Sequence, residues 1–259
     1  MNAATPTLLV ELRGVRQRFG AVLALDGLDL EIRHGEVFGL LGPNGAGKTT
    51  ALRILCGLLA PDSGTVTIDG LDVRAEPLEA RRRFAFVPDG APLYANLSPR
   101  QHLELVGRLH GIDDAHIASE GARLLDALEL GARIDDPVGT FSRGMRQKTA
   151  LACAILPRPK LLILDEPLNG LDAPTTTVFK EVLRAWADRG GSVLYTSHLL
   201  DVAERVCDRM AVIAGGKCVA VGTLDELRVQ AGRNGTLEQV FGALTHSADP
   251  HAQAVKLLG

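Results

Sequence analysis

The chain predicts an α/β fold: a parallel sheet covered on both sides, with a helical subdomain inserted into it. Three observations carry this. VFGLLG (37–42), LLILDEP (161–167) and SVLYTS (192–197) are short apolar runs of the kind found in strands buried on both faces. Segments of helical pattern alternate with them, as a parallel sheet with crossover helices requires. Between Phe86 and Lys160 the strand pattern stops and only helical segments remain, which marks the insertion.

In chain order, LLVELRGV (8–15) alternates like an exposed-edge strand. After VFGLLG, Lys48 to Gly57 reads as a helix closing on a glycine. GTVTIDG (64–70) and RFAFVP (83–88) are further strands. Ser98 is placed to cap a helix that has Pro99 at its first position and runs to His110. ASEGARLLDALELG (118–131) forms an amphipathic helix, and Ser142 begins a third. Pro174 to Asp188 is helical, and another helix starts at about His198. RMAVIAGG followed by KCVAVG reads as a hairpin. Two short helices, DELRVQAG and TLEQVFGALT, precede a ragged end. The expected division is a main domain over 1–222, with the helical subdomain at about 89–157, and a C-terminal helical extension and tail over 223–259.

The 259 residues suffice for one large or two small domains, and at 46% hydrophobic they can bury a sizeable core. Aromatics make up only 4%, so aliphatic side chains and Ala must fill it. A net charge of −3 argues against a nucleic-acid-coating protein. Cys56, Cys153, Cys207 and Cys218 form no CxxC pair and read as small buried hydrophobes in a reducing compartment. MNAATPTLLVELRG lacks the pattern of a signal peptide, and no apolar run reaches the roughly 18–20 residues that cross a bilayer. Any membrane role is therefore expected to come through a partner.

GPNGAGKT (42–49) matches the phosphate-loop pattern GxxxxGK[ST], with a strand before it and a helix after it. Gly42, Gly45 and Gly47 let the backbone of Gly42, Pro43, Asn44, Gly45, Ala46 and Gly47 curl until N–H groups point inward. Those groups, with Thr50 in the first helical turn, offer β- and γ-phosphates the positive end of a helix. Lys48 adds a full charge, and the Thr49 hydroxyl suits Mg²⁺. LLILDEP ends a strand with two carboxylates: Asp165 to hold the metal through its water shell, Glu166 to polarise the attacking water. His198, just beyond SVLYTS, is placed to reach the γ-phosphate from the same sheet.

Taken in order, Phe19 in RQRFG, GPNGAGKT, FVPDG, FSRGMRQ, LLILDEP, LNGLD and TSH resemble the nucleotide-binding subunit of an ATP-binding-cassette (ABC) transporter over about residues 7–225. The resemblance implies a P-loop NTPase (RecA-like) parallel-sheet core, an N-terminal antiparallel β subdomain and the inserted helical subdomain. It implies ATP and Mg²⁺ as ligands and Glu166, His198 and Lys48 as catalytic groups. FSRGM lies where this family keeps its signature sequence, so Ser142 and Gly144 are expected to face ATP held by the phosphate loop of a second subunit. Phe19 matches the aromatic that stacks on adenine, and Asp172 the loop that runs between the two subunits. The partners implied are a second ATPase subunit, with a homodimer permitted and a paralogue not excluded, and a separate transmembrane permease; no nucleic acid is expected. The implied location is the cytoplasmic face of a membrane.

Three positions depart from the family pattern. Arg143 and Met145 stand for a glycine and a glutamine of the signature, in a form similar to that of ABC-2 type exporters; TLEQVFGALT points to the same branch. Asp89 stands where a glutamine that touches Mg²⁺ and the permease is usual, and is retained as a candidate metal ligand with altered affinity, against a plain surface turn. The groove from about Asp89 to Arg108 is the expected dock for a permease helix. Two alternatives stay open at this point: a soluble ABC protein of translation or DNA repair, and a subunit that binds ATP without hydrolysing it.

Overall fold

A computed structural model describes residues 7–198 and 200–245. Two sheets and a set of helices share two apolar cores. The first sheet is antiparallel: β1 (Leu8–Phe19) lies between β2 (Val22–Arg33) and β4 (Ser63–Ile68), and β5 (Leu71–Asp72) follows β4. The second contains β3 (Val37–Leu41), β6 (Phe84–Val87), β7 (Leu161–Asp165), β8 (Ser192–Ser197), β9 (Arg209–Ala214) and β10 (Lys217–Gly222), in the order β10-β9-β3-β8-β7-β6. Every pairing in it is parallel except the β9/β10 hairpin at its edge.

The continuous apolar strands feed both cores at once, because successive residues of a strand point to opposite faces. Leu162, Leu164, Val193 and Tyr195 enter the core shared with most of the helices. Leu161, Ile163, Leu194, Phe38 and Leu40 enter the other, which the antiparallel sheet and α1 (Lys48–Leu55) close. One face of the parallel sheet is thus covered largely by a second sheet.

One sequence expectation is corrected here, and one strand is added to it. LLVELRGV is not at an edge: β1 is hydrogen-bonded on both sides. Its partner β2 is a strand that the sequence pattern does not announce. Buried Leu25, Leu28, Leu30 and Ile32 are spaced by three and then by twos, because the ladder slips near Gly27, whose φ is 74°.

The helical block fills the chain between adjacent strands β6 and β7. Following the short α2 (Pro77–Arg81), it comprises α3 (Pro99–Leu109), α4 (Asp114–Ala127) and α5 (Arg143–Ile155). Ser98 caps α3 in a capping box with Gln101. Helix α4 begins earlier than its apolar pattern suggested, because Asp113 caps it through the His116 N–H. α6 (Ala173–Asp188) and α7 (Leu200–Val206) follow β7 and β8. In the C-terminal extension, α8 (Leu224–Gln230) and α9 (Leu237–Leu244) dock onto this body. Leu237 and Val240 are fully buried, and the Glu204 carboxylate of α7 accepts from the Leu237 N–H at 2.9 Å. The expected ragged end after Thr245 lies outside the described residues.

Candidate functional site

Strands β3, β8, β7 and β6 run parallel side by side, so their C-terminal ends line one edge. Ligands of open α/β sheets bind there. Leu41 leads into Gly42 and the phosphate loop, β7 ends on Asp165, β8 runs into His198, and β6 runs into Asp89. The register pairs Leu41 with Ser197 and Asp165 with Thr196. Motifs scattered over more than a hundred residues thereby meet on four adjacent strands.

The loop is shaped by its own fold. A Cβ on Gly42 would sit 2.5 Å from the Ile213 carbonyl oxygen, and one on Gly47, at φ 109°, would sit 2.6 Å from that of Ala24. Either residue other than glycine would push this backbone open. Pro43, Asn44, Gly45 and Thr49 are exposed, Ala46 is buried and Thr50 half-buried. Gly47 is the N-cap of α1 and contributes no side-chain cap, and the first turn holds no acidic residue. The positive end of this helix is therefore left for a ligand.

Lys48, 8% exposed, lies across the loop: Nζ donates to the Gly42 carbonyl at 2.6 Å and to that of Pro43 at 3.3 Å. Burial holds its pKa below the ordinary lysine value, against the pull of Glu166 and Asp165.

Asp165 is buried, and its Oδ1 accepts from the Thr196 hydroxyl at 2.6 Å. The same hydroxyl oxygen accepts from the Glu166 N–H at 3.0 Å. Thr196 is fully buried and orients both acids; its one proton goes to Asp165 and a lone pair to Glu166. Sequence reasoning passed over it, although a hydroxyl among apolar strand residues two positions before the candidate histidine was a usable signal.

Glu166 adopts φ 47°, a left-handed conformation that side chains larger than glycine rarely take. Its Oε2 lies 2.8 Å from His198 Nδ1 and 3.3 Å from the His198 N–H. The Nδ1–Oε2 contact is a hydrogen bond in any form of the ring that carries a proton on Nδ1, and Nε2 is left for another partner.

Asp165 offers its second oxygen beside this cluster, a hard anionic donor suited to Mg²⁺. Among the described residues, no group of three or more His, Cys, Asp or Glu side chains gathers that would hold a metal unaided. Thr49 and Asp165 fit a cation that shares its coordination with phosphate oxygens and water, the usual state of Mg²⁺.

Phe19, at the end of β1, is 49% exposed and takes no part in either core. Ser142 caps α5, accepting from the Met145 N–H at 3.2 Å, and Asp172 caps α6 through the Thr175 N–H. Gly144 lies in the first turn of α5 with helical φ. A Cβ there would meet Thr175 at 3.4–3.5 Å, an ordinary contact. Asp89, exposed beyond β6, pairs with Arg143: Nη2 donates to Oδ1 at 3.2 Å.

The comparisons with known proteins agree with one another. The family model described as "ABC transporter" matches residues 25–169. The daunorubicin/doxorubicin resistance ATP-binding protein of Streptomyces peucetius is 39% identical over 253 residues, covering 98% of this chain and 75% of that protein. A Nod factor export ATP-binding protein of Cupriavidus metallidurans is 39% identical over 221 residues, 85% of this chain and 73% of its own. A solved ATP-binding subunit of an ABC transporter superposes with TM-score 0.86 at 33% identity, over 92% of this chain and 99% of that one. A dimeric ATP-binding cassette, described in a post-hydrolysis state with ADP and Pi, gives TM-score 0.75 at 25% identity, over 83% and 98%.

Proposed function

The chain belongs to the ABC transporter family as an ATP-binding, ATP-hydrolysing subunit, and from that premise we propose that two copies close around two ATP molecules to drive a separate permease outward. Each ATP is held by the Lys48 loop of one copy and capped by Ser142 and Gly144 of the other. The observation that carries this is Gly144. A glycine inside a helix costs about 0.5–1 kcal/mol relative to alanine. Neither the helical backbone at Gly144 nor the space beside Thr175 demands it. What requires the missing Cβ is then something that approaches from outside the protomer.

Within the closed pair, Phe19 stacks on adenine and the backbone N–H groups of residues 44–50 surround the phosphates. Glu166 polarises the attacking water. His198 donates an Nε2–H to the γ-phosphate while Nδ1–H donates to Glu166, which requires the ring to carry both protons in the closed pair. Asp165 and Thr49 hold Mg²⁺, which supplies charge neutralisation on the phosphates; Asp89 is a further candidate ligand once it leaves Arg143. Phosphoryl transfer to water needs positioning and charge compensation more than covalent chemistry, and these groups supply both.

The permease helix docks in the cavity of about 280 Å³ between the end of β6 and the helical block, lined by Phe86, Pro88, Ala91, Leu93, Val106 and His110. No helix among the described residues is long and apolar enough to cross a membrane. The protein then works from the cytoplasmic face through its partner. Relatives named for drug resistance and Nod factor export support the outward direction.

The test is ATP-driven dimerisation of the Glu166→Gln variant, with cysteines placed at Asn44 and at Arg146. Disulfides across chains that form only with ATP are expected. A chain that stays monomeric at saturating ATP, with no such crosslink, overturns the sandwich.

A further inference from the structure

Arg143 is in the wrong place for the stability of its own helix. It is the first residue of α5, where a cation opposes the helix dipole, and no acidic residue sits in that first turn. The side chain instead lies against two other segments, and one of them gives it an ion pair. Its Nη2 donates to Asp89 Oδ1 at 3.2 Å, in the loop that follows β6. Its Cδ, Nε and Cζ lie 3.5–3.6 Å from where a Cβ on Gly170 would stand, in the loop that follows β7 and carries Glu166. One side chain therefore joins the N-terminus of the signature helix to the loops leaving two neighbouring strands of the sheet. The next residue in the chain, Gly144, where a Cβ would meet Thr175 at 3.4–3.5 Å, extends the same seam to the start of α6.

We propose that Arg143 is a positioning residue for nucleotide-driven closure. By holding Asp89 and lying across Gly170, it fixes the height and tilt of the α5 N-terminus, with Ser142 and Gly144, relative to the Glu166 loop. The surface that meets a second copy's ATP is thus set before that copy arrives. The Asp89 carboxylate, close to the α5 N-terminus, supplies the negative charge that Arg143 would otherwise lack there. A planar fork suits a contact that is ionic on one side and flat on the other; a lysine ammonium would keep the charge and lose the plane. This inference rests on the dimer reading above.

The experiment uses the full chain carrying Glu166→Gln, with Arg143→Ala, Asp89→Asn, both together, and the charge exchange Asp89→Arg with Arg143→Asp. Two quantities are read: amide exchange of peptides covering 88–93 and 166–172 in the nucleotide-free protomer, and ATP-dependent dimerisation by light scattering. Each single variant is expected to speed exchange in both peptides and to weaken dimerisation about three- to fivefold, the range of a partly exposed ion pair. The pair is expected to be no worse than the poorer single, and the charge exchange to recover at least half of the loss. Unchanged exchange in Arg143→Ala, or single effects that simply add, overturns the proposal. If the Glu166→Gln parent fails to dimerise with ATP, the sandwich fails, and the exchange rates alone still decide the role of Arg143. Were Asp89 present for Mg²⁺ only, Arg143→Ala would leave the metal-free exchange untouched.

Discussion

The Thr196 hydroxyl donates to Asp165 Oδ1 at 2.6 Å, and through the Glu166 N–H it also fixes the neighbouring acid. Thr196→Val keeps the shape and removes both bonds. Each buried group left without a partner costs about 1–3 kcal/mol. Loss of a side chain that orients a metal ligand lowers activity or metal affinity by about 10–100-fold. The variant should therefore unfold at lower temperature and need more Mg²⁺ for half-maximal ATPase. A Mg²⁺ titration unchanged from that of the unmodified chain would remove Thr196 from the site.

Gly144→Ala should separate folding from function. The added methyl has an ordinary contact with Thr175. Helix propensity favours alanine by about 1 kcal/mol, which for a chain of this size raises Tm by about 2–4 °C. ATP-driven dimerisation and turnover should nevertheless be lost, because in the proposed pair the Cβ would occupy the space taken by the partner's nucleotide. Calorimetry beside light scattering checks this; a destabilised variant that still dimerises contradicts it on both counts.

Lys48 gives a pH signature of two opposite signs. Burial lowers its folded pKa, so over the window from that pKa up to the unfolded lysine value the unfolded chain binds more protons. Stability of the nucleotide-free chain should rise with pH across that window. Affinity for ATP should fall across the same window, as the ammonium that meets the phosphates is lost. Denaturant midpoints and fluorescent-nucleotide binding, measured over one alkaline pH series, report the two trends. Lys48→Met should flatten both.

Much of this site was legible in the sequence because its chemistry is local. The phosphate loop, the Asp165–Glu166 pair, and the Ser98 and Ser142 caps are each set by residues within a few positions of one another. What stayed hidden depends on contacts between distant segments. Thr196 matters because β8 pairs with β7, and Arg143 because its helix begins beside the loop after β6. Arg143 and Asp89 stood out separately as departures; only folding brings them into contact. β2 escaped for a different reason: a slip at Gly27 breaks the twofold period by which strands are read.

Glu166 carries backbone strain, and a glycine–alanine comparison isolates it. At φ 47° a residue with a Cβ is disfavoured by about 1 kcal/mol or more. Glu166→Gly and Glu166→Ala lose the same carboxylate, and with it the same His198 contact, so both should be inactive. They differ in the Cβ alone. Glycine also gains more freedom in the unfolded chain, which opposes its advantage by about 0.4–1 kcal/mol. At an unstrained position alanine would be the more stable. Here Glu166→Gly should equal or exceed Glu166→Ala in denaturant midpoint, reversing the usual order. An alanine variant more stable by a full kcal/mol or so would mean that the left-handed turn relaxes at little cost. Glu166 is then held by its contacts with Thr196 and His198 alone, and not by a backbone fixed in advance.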